Sequence, residues 1–184
     1  MEKSTLNDLI EKSRGNDEKA FRKIVESYQS MIYSLSFRLL CDEEDAKDIV
    51  QDTFVKVWMN LSGFETDRTF STWLYTITTN LCLDKLKSSK CKLQSKAIDD
   101  TLNNLLSIEN TEQKLINSEL AEIILTLTNE LTPKQKIVFT LRHLEELEVE
   151  EIVQITGMSP GKIKSNLFLA RQTIRKKLQK YTLL

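Results

Sequence analysis

The sequence predicts an all-α protein made of two small helical domains joined by a flexible linker. Three observations carry this reading. Only four Gly and two Pro occur in 184 residues, too few for the many tight turns of a sandwich or barrel. Apolar residues recur at steps of three and four through most of the chain, which is the spacing of one buried helix stripe. The near-balance of 26 Lys and Arg against 27 Asp and Glu also hides local blocks of opposite sign that divide the chain.

In the first domain, residues 1–87, the stripe is Phe21, Ile24, Val25, Tyr28, Ile32, Leu35 and Leu39. Asp42 opens a second helix. Asp42, Glu43, Glu44, Asp45, Asp48 and Asp52 crowd its early turns, where negative charge suits the positive end of the helix dipole. Its buried set is Ala46, Ile49, Val50, Phe54, Val57 and Trp58, while Asp48, Gln51, Asp52, Val55 and Met59 share the opposite face. Acids on a solvated face need no partner, but apolar Val55 and Met59 among them point to a docking surface. A loop from Ser62 to Arg68, broken by Gly63, leads to a third helix marked by Phe70, Trp73, Leu74, Ile77 and Leu81. Beside that stripe runs another, Thr72, Thr76, Thr79, Asn80, Leu83 and Lys87, which stays polar and uncharged until its basic end.

Residues 88–117 read as the linker, with a transient helix around Leu102 to Leu106. The second domain, residues 118–184, opens with a helix over Glu119 to Leu131 whose face is Leu120, Ile123, Ile124 and Leu127. Thr132 and Pro133 read as N-cap and first helical residue, since proline lacks only a donor that goes unpaired there. The helix they start buries Ile137, Val138, Leu141 and Leu144. A short helix over Val149 to Thr156 ends at Gly157, suited to the left-handed position beyond a helix. Ser159 and Pro160 repeat the cap-plus-proline start, and the last helix buries Ile163, Leu167, Ala170, Ile174 and Leu178. Helix, glycine turn, helix is the order of a helix-turn-helix.

Several function classes are disfavoured. Cys41, Cys82 and Cys91 lie far apart without a C-x-x-C pair, and the one histidine, His143, has no cysteine near it, so neither a zinc site nor a disulfide framework is suggested. Reduced thiols are expected, with packing roles for Cys41 and Cys82. No nucleophile-base pair, glycine phosphate loop or zincin helix is present; the expectation is a non-enzyme with no cofactor or metal. No window approaches a membrane span and the N-terminus holds no long apolar region, so a cytoplasmic protein without membrane insertion is expected.

The case for nucleic acid is stronger. From Pro160 onward Lys162, Lys164, Arg171, Arg175, Lys176, Lys177 and Lys180 face no acid at all. Ser159, Lys162, Lys164, Ser165 and Asn166 occupy the leading part of the last helix, where base edges of a major groove are met, with Arg171 and Arg175 where phosphates lie. In the first domain Phe64, Arg68, Trp73, Thr76, Asn80 and Lys87 offer stacking surface, uncharged hydrogen-bonding groups and a basic end. That combination suits the unstacked bases of a single strand.

The run Ala46-Lys-Asp-Ile-Val-Gln-Asp-Thr-Phe54, then Phe70-Ser-Thr-Trp-Leu74, then Asn80, Asp84 and Lys87, resembles the second conserved region of bacterial sigma factors. Leu131-Thr-Pro133, Met158-Ser-Pro-Gly-Lys-Ile-Lys-Ser165 and Ala170-Arg171 resemble the fourth region of the same family. The likeness is greatest to the small extracytoplasmic-function group and covers about Lys19 to Lys87 and Glu119 to Leu178. It implies a dissociable subunit of RNA polymerase that selects promoters and helps open them. By this resemblance Asp48, Gln51, Asp52 and Val55 dock on core RNA polymerase, Phe64, Arg68, Trp73, Thr76, Asn80 and Lys87 take flipped bases of the −10 element, and the last helix reads the −35 element as duplex. An anti-sigma factor is a further partner that the resemblance suggests. Asn166 and Leu169 stand where relatives usually carry Arg, and Glu146 replaces a frequent Gly. The alternative is a stand-alone dimeric helix-turn-helix regulator, which would bind a palindromic duplex without polymerase; a third reading is a helical adaptor with no DNA sequence preference.

Overall fold

Polar caps and apolar stripes fold the described residues of this computed structural model, 3–64, 69–93, 123–128 and 130–182, into α-helices and one 3₁₀ turn. No strand forms among the described residues. The expected linker beyond residue 93, including Leu102 to Leu106, lies outside them, as do Leu120 and Arg68.

Helix α1 (Lys3–Arg14) is an addition to the expected elements; it buries Leu9, Ile10 and Ser13, a helical spacing diluted by polar neighbours. Asp17 then caps α2 (Glu18–Leu40), its Oδ1 accepting from the amides of Lys19 and Ala20 at 2.9 and 3.0 Å. At the far end Cys41 takes the left-handed conformation (φ 55°) and returns its N–H to the Phe37 carbonyl. Asp42 caps α3 (Glu43–Asn60), as the sequence predicts, by accepting from the Asp45 amide at 2.8 Å. A 3₁₀ turn, Leu61–Gly63, follows. The Arg14 guanidinium donates to the carbonyls of Leu61 (3.1 Å) and Phe64 (2.5 Å), tying the end of α1 to the exit of this turn. Helix α4 (Phe70–Leu93) runs six residues past the expected domain end at 87.

In the second half α5 (residues 123–128) buries Ile124 and leaves Ile123 57% exposed, so the predicted face is turned by about one residue. Thr132 and Gln135 form a reciprocal capping box at α6 (Pro133–His143), with amide-to-oxygen distances of 3.3 and 3.0 Å. Helix α7 (Val149–Thr156) has the predicted ends, and Gly157 holds the predicted positive φ of 65°. Helix α8 (Pro160–Thr182) buries Ile163, Leu167, Ala170 and Ile174, but Leu178 is 48% exposed because the helix outruns the helices it packs on.

Ile24, Ile32, Val57 and Leu74 close the core of the first half. A second core spans both halves: Leu35, Leu39, Ile49 and Cys82 join Ile137, Leu141, Ile152 and Ile163 in one cluster. Helix α4 packs on α6 and α7, and α2 on α6. Each fully buried Leu or Ile there contributes about 1.5–3 kcal/mol relative to exposure. A cluster of polar side chains crosses this boundary. Glu145, its side chain only 9% exposed, accepts from Arg38 Nη1 at 2.7 Å and from the Tyr75 hydroxyl at 2.9 Å, while Arg38 also donates to the Leu144 carbonyl. Burial first, and then the neighbouring Glu145 carboxylate, push the Tyr75 phenol well above its ordinary pKa, so it remains a donor. The two small helical domains expected from the sequence pack on one another through this core.

Candidate functional site

Three outward faces carry the residues singled out from the sequence. On α3, Asp48, Gln51, Asp52 and Val55 are all exposed, and Met59 extends the strip one turn further. Val55 is 57% and Met59 73% exposed, so neither serves the core. Lys85 of α4 lies 2.7 Å from Asp45 and 3.9 Å from Asp48, fixing the acid-rich start of α3 against α4. Beside this strip, between α2 and α3, runs an apolar groove of about 1010 Å³ lined by Phe21, Val25, Phe54 and Trp58, with Gln51 and Val55 also in its wall. The groove was not read from the sequence. Phe21, Val25, Val50 and Trp58, counted as core in the sequence, line it and are only partly buried.

The second face is a narrow strip of α4. Thr76 is half-buried, and Asn80 and Lys87 are exposed one and three turns on. Two expectations are corrected here. Phe64 and Trp73 are 5% and 8% exposed; their ring centroids lie 4.9 Å apart, and Phe70 closes the cluster at 5.3 Å from Phe64. Three large rings gain more from mutual burial than from solvent, so they form a buried cluster and not a free stacking surface. Thr72 and Thr79 likewise belong to the interior. Thr76 donates to the Thr72 carbonyl at 2.8 Å, which leaves its lone pairs outward.

The third face is α8. Ser159, Lys162, Lys164, Ser165, Arg171 and Arg175 are exposed as the helix-turn-helix reading requires. Asn166 departs from expectation: it is half-buried and its Nδ2 donates to the Lys162 carbonyl at 2.7 Å, so its amide is engaged on its own helix. Arg171 Nε donates to His143 Nε2 at 3.1 Å, and His143 lies against the Phe139 ring at 4.8 Å. Partial burial, then Arg171 and then Arg142, hold the imidazole pKa below its usual value, which keeps it neutral and able to accept. Phe168, which the sequence reading did not single out, is 65% exposed on this face, and Leu169, noted there only as a departure from the family pattern, is 42% exposed.

No group of three or more His, Cys, Asp or Glu among the described residues could hold a metal ion. Cys82 is fully buried, with its thiol pushed up to about 12 by desolvation, and burial also raises Cys41. No described helix is long and apolar enough to cross a membrane.

A helical protein with an exposed acid-and-apolar strip and a terminal helix-turn-helix is the class these faces define. Comparison with known proteins places it more closely. Sigma-70 region 2 matches residues 24–90 and Sigma-70 region 4 matches residues 121–174. The ECF RNA polymerase sigma factor SigW of Bacillus subtilis is 30% identical over 181 residues, covering 95% of this chain and 97% of that protein. Two solved structures share the fold: CnrH in complex with the cytosolic domain of CnrY (TM-score 0.67, 23% identity, 96% of this chain and 98% of that one) and the sigma factor RpoE in complex with the anti-sigma factor NepR from Bartonella quintana (TM-score 0.66, 23% identity, 88% and 98%). The chain belongs to the sigma-70 family, in its group of ECF RNA polymerase sigma factors.

Proposed function

We propose that the three faces divide the work of a sigma factor among them. Asp48, Gln51, Asp52 and Val55 dock on a basic helical surface of core RNA polymerase, the α2–α3 groove adding apolar area beside them. Thr76, Asn80 and Lys87 hold flipped bases and backbone of the −10 element, with Phe64, Phe70 and Trp73 as the rigid floor that positions the strip. Ser159, Lys162, Lys164, Ser165, Arg171 and Arg175 meet the −35 duplex. Residues 1–87 and 118–184 act as the two working domains and residues 88–117 as the tether. The protein works in the cytoplasm and performs no covalent chemistry of its own. An anti-sigma factor, the kind of partner NepR is for its relative, holds it inactive by covering the polymerase-docking faces.

The presence of both sigma regions in one chain, in order, carries this reading over the stand-alone dimeric regulator. Electrostatics add to it. A net charge of −1 gives little long-range attraction to phosphate, and unstacking bases costs a few kcal/mol per step. Free protein therefore binds promoters poorly, and polymerase supplies the missing contacts.

In-vitro transcription with core polymerase tests the assignment. Asn80→Ala is expected to lower promoter opening about tenfold while leaving core binding intact, the loss of one base-edge contact. Asp48→Arg is expected to weaken competition for core about tenfold through charge reversal at the docking strip. Normal opening by the first variant, or full competition by the second, removes the corresponding role.

A further inference from the structure

Ile163, Leu167 and Ile174 of α8 are buried beneath it and Leu178 is exposed only near its far end, yet Phe168 and Leu169 stand 65% and 42% exposed in the middle of its outward face. Their neighbours follow from helical spacing. Lys164, Phe168, Arg171 and Arg175 recur at steps of four, three and four and form one outward row; Ser165, Leu169, Gln172 and Lys176 form the adjacent one. The apolar pair is therefore framed by cations and neutral polar groups, and α8 contains no acid. A partner for this surface must combine negative charge with small apolar projections.

Duplex DNA does so in one place. Each thymine puts a C5-methyl group into the major groove, the one apolar projection on a base edge otherwise made of donors and acceptors. Phe168 lies about 12 Å along the axis from Pro160 at 1.5 Å per residue, one turn beyond Lys164. That distance is comparable to the roughly 12 Å width of the groove, so Lys164, Ser165 and the pair can all reach one stretch of base edges. Asn166 has turned its donor onto the Lys162 carbonyl, which reduces hydrogen-bond readout on this helix and leaves relatively more of it to apolar contact.

Resting on the reading of α8 as the −35 helix, we propose that Phe168 and Leu169 are specificity-determining residues that read thymine methyl groups in the −35 element. The selected sequence then carries thymine opposite the pair, and discrimination there comes from apolar burial in place of hydrogen bonding. Because both side chains are exposed, truncating them is expected to leave the fold intact.

The test uses holoenzyme reconstituted from the full chain and core polymerase. Promoter duplexes with a randomised −35 region are selected for binding, and each enriched thymine is then replaced by uracil, which removes only the methyl group. At one or more positions the replacement is expected to weaken binding about fourfold, the factor that burying one methyl group corresponds to. Phe168→Ala or Leu169→Ala is expected to abolish that preference while binding the uracil duplex as the parent does. Arg175→Ala should weaken thymine and uracil duplexes alike and reduce the salt slope by about one. Equal binding of thymine and uracil duplexes by the parent, or a preference that survives both alanine substitutions, overturns the proposal. Weakened core binding by the alanine variants, with thymine preference intact, also overturns it and assigns the pair to a protein contact. If Arg175→Ala leaves every duplex unaffected, the −35 reading of α8 fails instead.

Discussion

Helices α4 and α8 both present residues proposed above to face DNA, but each is held by a different kind of polar link. Through Tyr75, α4 is tied to Glu145, a carboxylate whose side chain is 9% exposed and which Arg38 also binds. Through Arg171, α8 is tied to His143, an exposed imidazole on the rim of α6. The first helix is surrounded, packing on α2, α3, α6 and α7, whereas α8 rests mainly on α6 and α7 and leaves its other side to solvent. The lesson is that the role proposed for α4 is entangled with stability, while the role proposed for α8 is separable from it.

Breaking the α4 link should have the largest effect. Arg38→Ala leaves the buried Glu145 carboxylate with Tyr75 as its remaining side-chain donor, and about 2 kcal/mol of stability is expected to be lost, discounted from a fully buried pair because Arg38 is 30% exposed. Urea unfolding measures it. Replacing both partners, as Arg38→Met with Glu145→Leu, should recover most of the loss, since no charge is then stranded. A single-site loss no larger than that of an exposed pair would mean the boundary is already wet.

An intermediate effect of opposite sign is expected between the two links. Glu146, in the turn joining α6 to α7, holds a φ of 58°, a left-handed conformation that costs a residue with a side chain about 1–2 kcal/mol. Glu146→Gly should therefore raise stability by about 1 kcal/mol, less the extra freedom glycine gives the unfolded chain. A thermal melt that moves down instead would show that the Glu146 side chain contributes more than its strained backbone costs.

The smallest effect belongs to the α8 link. The folded state lowers the pKa of His143, so the unfolded chain takes up the proton more readily, and stability is present above the ordinary pKa near 6.5 and declines as pH falls below it. His143→Gln should flatten that part of the stability-against-pH curve while leaving the Arg38 effect unchanged. An unaltered slope in the variant would place the titration elsewhere.

Local signals made most of the helices legible. Asp42, Thr132 with Pro133, and Gly157 each determine a helix end through hydrogen bonds within a few residues, and those ends lie where the sequence puts them. The shared core was not legible. Arg38 and Glu145 are 107 residues apart, and Leu35 and Leu39 satisfy their own helix stripe whether they face a neighbour in the same half or across the boundary. For the candidate site, residue type was readable and exposure was not. Phe64 and Trp73 have the chemistry of a stacking platform, but only the way Phe70 closes over them places them inside. Phe168 and Leu169 fall outside the stripe read as core, but an apolar residue set among basic ones shows no sign of a partner until its exposure is seen.

The Arg14 guanidinium, anchored on the carbonyls of Leu61 and Phe64, has a practical consequence for how this protein is handled. Shortening the chain from its front end through this arginine should act as a change to the distant segment entering α4, nearly fifty positions downstream, and a fusion placed just ahead of α1 should be judged by melting of promoter DNA as well as by yield.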